Sequence, residues 1–185
     1  MKKTASIGLA ILLLSTIVFS GCGKNEPQPV SSSNHEGNME EMHHSGSGEL
    51  PANLKEKSHP TFPIGSKATM NADHMPGMKG AKATIVGAYE TTAYAVTYKP
   101  TTGGHPVENH KWVIHEEIKD SADQPYEPGD EVILQADHMP GMKGAAATVE
   151  TAELTTVYMV DYKSTTDGEM VRNHKWVTEQ ELAVD

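Results

Sequence analysis

The chain has 185 residues, a formal charge of −10 and few aromatics, so it holds one or two small domains and length alone does not choose between them. The acidic balance excludes nucleic acid as the natural partner. A single cysteine, Cys22, excludes disulfides and thiolate ligands from everything after it, so metal chemistry there falls to carboxylates, to ten His and to all but the first of the chain's ten Met.

Lys2 and Lys3 open the chain, and Ile7 to Phe19 is an apolar run broken only by Gly8, Ser15 and Thr16. That pattern predicts a secretory leader over residues 1–21, too short to span a membrane. Its removal takes the charge from −10 to −12. Ser20 and Gly21 directly before Cys22 resemble a bacterial lipobox, with Phe19 standing where Leu is commonest. Lipidation of Cys22 is the expected anchor, each buried methylene contributing about 0.8 kcal/mol. Residues 22–60 carry no periodic apolar pattern and are expected to be a disordered tether. It contains His35 and then Met39, Met42, His43 and His44, which read either as metal donors or as part of a polar linker.

From residue 61 the chain is written twice. A shift of 64 residues lays Gly65–Ile118 on Gly129–Leu182 without a gap, with about half the positions identical. The longest shared blocks are ADHMPGMKGA, at Ala72–Ala81 and Ala136–Ala145, and NHKWV, at Asn109–Val113 and Asn173–Val177. We therefore expect two β-domains, 61–121 and 122–185. Alternation predicts strands at Lys67–Asn71, Ala83–Gly87, Thr92–Lys99 and Lys111–Ile114, with Gly103-Gly104 as a turn and equivalents in the second copy. Strands so short and numerous imply an all-β fold of two tandem SH3-like barrels, with a flatter open sheet as the alternative. Trp112 and Trp176 are the expected large core residue of each.

The DHMPGM segment carries the chemistry. Pro-Gly favours a type II turn, which brings residues i and i+3 within about 7 Å. Met75 and Met78 occupy those places in the first copy, Met139 and Met142 in the second, each pair beside an imidazole, His74 or His138. Soft thioether favours Cu(I), while imidazole also accepts Cu(II) or Zn. Asp73 and Asp137 are candidates to ligate or to orient the histidine. His110 and His174 read either as ligands reaching across the barrel or as core histidines. Turn, gap-filling Met and loop histidine are the alternative explanation of the same residues. Tyr94, Tyr98, Tyr158 and Tyr162 offer a different reading, an aromatic grip on peptidoglycan or a protein. There is no catalytic nucleophile or phosphate loop, so a non-enzyme is expected.

Through DHMPGMKGA and NHKWV the chain resembles the YdhK-type family of tandem-domain bacterial lipoproteins, and it looks like a relative of the staphylococcal copper-resistance lipoprotein CopL. The resemblance implies copper binding at the outer face of the cell membrane, limiting the metal that reaches the cell; copper-export machinery and the cell wall are the candidate partners. It does not assign ligands.

Overall fold

The structure, a computed structural model, describes residues 46–184. Among them the regular elements are β1 (Lys55–Glu56), β2 (Lys67–Met70), β3 (Lys82–Tyr98), β4 (Val107–Ile114), β5 (Glu131–Ile133), β6 (Ala146–Lys163), β7 (Met170–Thr178) and β8 (Leu182–Ala183). Two 3-10 turns, His115–Glu117 and Glu179–Glu181, follow β4 and β7. The all-β class and the tandem repeat are as expected. The two inner strands expected in each repeat are instead one strand of 17 residues, β3, and one of 18, β6.

These two long strands lie antiparallel along their whole length, from Ala83 opposite Tyr162 to Tyr98 opposite Ala147. Strands β2 and β4 flank β3, while β5 and β7 flank β6. The result is one open antiparallel sheet, and closure of a separate barrel in each repeat is not seen. Continuity has a local cause. One extra residue, Val86 in β3 and Glu150 in β6, is accommodated at each register shift, so the strand bends without ending. The same bulge changes which parity faces inward: Ala83 and Ile85 enter a core before it, Ala88 after it.

Each repeat is therefore shared between two cores. The first packs Met70, Ala81 and Ile85 of repeat one against Tyr158, Val160 and Tyr162 of repeat two. Its counterpart packs Tyr94, Val96 and Tyr98 of repeat one against Leu134, Ala145 and Val149 of repeat two. Trp112 and Trp176 belong to neither, and instead join Tyr89, Ile114, Val157 and Met159 in a third, central cluster. Residues 46–60, read as tether, engage the sheet. Gly46 N donates to Arg172 O at 2.8 Å, and β1 pairs with β3 at Tyr89 and Glu90.

Candidate functional site

The DHMPGM turns form as their residue types require. Gly77 and Gly141 have φ of 81° and 79°, and Met78 N and Met142 N donate to Met75 O and Met139 O at 3.3 and 3.1 Å. Glycine is needed twice over at these places. Beyond the positive φ, a Cβ on Gly77 would overlap Ser164 Oγ, and one on Gly141 would come within 2.5 Å of Thr102 Oγ1. Each turn is clamped by the other repeat, through Thr165 N to Gly77 O at 3.0 Å and Thr101 N to Gly141 O at 2.8 Å.

The two thioethers of each turn differ in burial. Met78 and Met142 have no exposed surface and pack among apolar residues, Met78 in the first core and Met142 in the second. Met75 and Met139 stay half-buried at the margin. Tyr98 OH approaches Met139 Sδ at 3.9 Å. Asp73 and Asp137 are exposed, and Asp73 meets the surface Lys79 at 3.6 Å. Neither carboxylate orients the neighbouring histidine.

That task falls to carboxylates missed in the sequence. His138 Nε2 lies 2.8 Å from Glu117 Oε1, and Glu117 Oε2 accepts from Trp176 Nε1 at 3.0 Å and from Ile114 N at 3.2 Å. The same network recurs with the repeats exchanged: His74 Nε2 lies 2.5 Å from Glu181 Oε1, and Glu181 Oε2 accepts from Trp112 Nε1 at 2.8 Å and Thr178 N at 3.0 Å. Each histidine thus pairs with the glutamate of the other repeat. Burial works to raise both carboxyls, but the facing histidine and the converging N–H groups outweigh it. Glu117 is held below its usual range, and Glu181 at about 2. An ionised carboxylate only accepts, so the proton on each bond belongs to Nε2 of the histidine. In the neutral imidazole the lone pair then lies on Nδ1. His74 Nδ1 and His138 Nδ1 are both buried with no hydrogen-bond partner among the described residues.

Of the two NHKWV histidines, His110 lies beside this network. His110 stacks edge-on to Tyr98 at 6.0 Å between ring centroids and stands 6.2 Å from the ring of His138. His174 repeats the first contact with Tyr162, at 5.7 Å. Within each block Asn109 and Asn173 adopt positive φ, and the Lys111–Trp112 and Lys175–Trp176 peptides are cis. Among the described residues no three His, Asp, Glu or Cys side chains converge as a metal group. Tyr94, Tyr98, Tyr158 and Tyr162 are all buried, which leaves an aromatic grip without a surface. The leader, Cys22, His35, Met39, Met42, His43 and His44 lie outside the described residues.

Comparison with known proteins gives one consistent result. The family described as "Protein of unknown function (DUF1541)" matches residues 64–115 and again 128–179. The protein YdhK of Bacillus subtilis, described as uncharacterized, is 55% identical over 185 residues, covering 98% of this chain and 90% of its own length. A crystal structure of ydhK, a DUF1541 family protein from that organism, superimposes with a TM-score of 0.76 at 60% identity, covering 79% of this chain and 99% of that one. The solution structure of a ydhK C-terminal domain gives 0.64 at 62% identity, over 67% of this chain and 94% of that one.

Proposed function

This chain belongs to the DUF1541 family, and from the pair of sites its two family units build together we propose that it is a copper-binding lipoprotein, without enzymatic activity, held at the outer face of the cell membrane by lipid on Cys22. One observation carries the reading. In both repeats a histidine has Nε2 fixed by an ionised carboxylate and leaves a buried Nδ1 without a hydrogen-bond partner among the described residues, and the next residue in the chain carries a half-buried thioether. A carboxylate behind an imidazole is the arrangement that sets tautomer and orientation in metal sites. His74 with Met75, and His138 with Met139, are the proposed donors. Met78 and Met142 back them as packing, because an ion could reach their sulfurs only through the apolar core.

Donor softness selects the metal. With no group of three nitrogen and oxygen donors among the described residues, an ion here needs thioether sulfur, and sulfur favours Cu(I) over Zn. The resemblance carried by DHMPGMKGA and NHKWV supports the same reading, sequestration that limits copper toxicity, with export machinery or the cell wall as the proposed neighbouring partner. Zn held by histidine and carboxylate is the second reading, and Cu(I)–Zn competition separates the two. The decisive test is Cu(I) titration of the full chain against a chromophoric chelator, compared with H74N/H138N and M75L/M139L variants. Loss of two ions in the histidine variant and weakened binding in the methionine variant are expected. Unchanged stoichiometry and affinity in both would remove these residues from copper binding. A third variant, with Met39 and Met42 to Leu and His43 and His44 to Asn, measures the contribution of the tether.

A further inference from the structure

Resting on the copper reading, we propose that each ion is held across the repeats: by His138 and Met139 of the second with His110 of the first, and at the related site by His74 and Met75 of the first with His174 of the second. A single DHMPGM turn is therefore half a site.

The pairing of the long strands brings these residues together. His110 is fixed on β4 opposite Val96 of β3, while His138 and Met139 follow β5, which pairs with β6. Tyr98 joins the two groups, its ring edge-on to His110 and its hydroxyl on Met139 Sδ at 3.9 Å. At the site of His110 and His138 the imidazoles are spaced for a shared ion. A metal–nitrogen bond of about 2.0–2.1 Å, with about 1.1 Å from ring nitrogen to ring centre, limits two coordinating rings to about 6.4 Å between centroids. His110 and His138 stand at 6.2 Å. That spacing suits two nitrogens on nearly opposite sides of an ion and a sulfur at its flank, a low coordination number acceptable to a soft monovalent ion. His138 brings to it the buried Nδ1 that the Glu117 contact leaves without a hydrogen-bond partner among the described residues. The sequence pattern agrees: DHMPGM and NHKWV are the two longest identical blocks of the repeat, and this arrangement uses both.

The test uses the full chain with the four tether donors replaced, so that binding reports the folded sites. Cu(I) competition titrations are run on this background and on H110N, H138N, H174N and H74N. H110N and H138N should each weaken one of two sites, by at least the roughly tenfold that loss of an outer-shell partner alone produces, and H174N and H74N the other. Copper-edge X-ray absorption of the background protein should show two imidazoles and one sulfur per ion, falling to one imidazole at the affected site in H110N. Unchanged affinity in H110N with loss in H138N, or one imidazole per ion in the background protein, would overturn the shared site while leaving copper binding intact. Absence of Cu(I) binding in the background protein would overturn both. Should H110N fail to fold, the absorption count on the background protein still decides.

Discussion

Glu117 is the residue on which most depends locally, because three donors end on one carboxylate that is 5% exposed. Glu117→Ala strands His138, Trp176 and a backbone N–H, and should cost about 3–5 kcal/mol in urea denaturation. Glu181→Ala should cost less, since water reaches its side chain, 17% exposed, more readily. The same residue predicts acid behaviour. Its carboxyl is held at about 2 in the folded chain against an ordinary 4.5, so the stability it contributes is complete above about 4.5 and is lost as pH falls toward 2. The thermal midpoint should drop across that window in the native chain and drop less steeply in Glu181→Gln; equal slopes would show that the pair does not govern acid stability. These glutamates were visible in the sequence as a pair 64 residues apart, but as exposed-looking members of EEIK and EQEL stretches. Nothing local marks a carboxylate that will be buried by a histidine 107 residues away.

At the scale of elements, the Pro-Gly turns are the parts sequence reading captured best. Turn type follows from Pro and Gly alone, and the structure adds that the opposing loop leaves no room for a Cβ at the glycine. Gly77→Ala and Gly141→Ala should each destabilise by about 1–3 kcal/mol in chemical denaturation, from the positive φ together with the crowded neighbour. Gly80→Ala, with similar φ and open space around its Cβ position, serves as the control and should cost less. Strand length was read too short because Gly87 and its counterpart Thr151 interrupt the alternation, which looks the same whether the strand ends or bulges. The two outcomes are distinguished by the partner strand. Here β6 supplies hydrogen bonds past the bulge.

For the molecule as a whole, the consequence is interdependence. Neither core contains a full complement of side chains from one repeat, and both tryptophans lie in the cluster between the two cores. The described residues also fall in one compact unit. We expect residues 46–184 to unfold in a single transition, with tryptophan fluorescence and far-UV circular dichroism melting together and the calorimetric enthalpy equal to the van 't Hoff value. Two resolved transitions would mean that the repeats fold separately. The amino-acid sequence alone determined the β class, the duplication, the turns and the donor types, because these follow from residue chemistry and short-range periodicity. Only the tertiary structure decided which half of one repeat completes the other, which methionine of each pair faces inward, and which carboxylate stands behind each imidazole. Periodicity specifies that a strand has an apolar face, but not whose face covers it, and in a duplicated chain the two copies offer nearly identical partners.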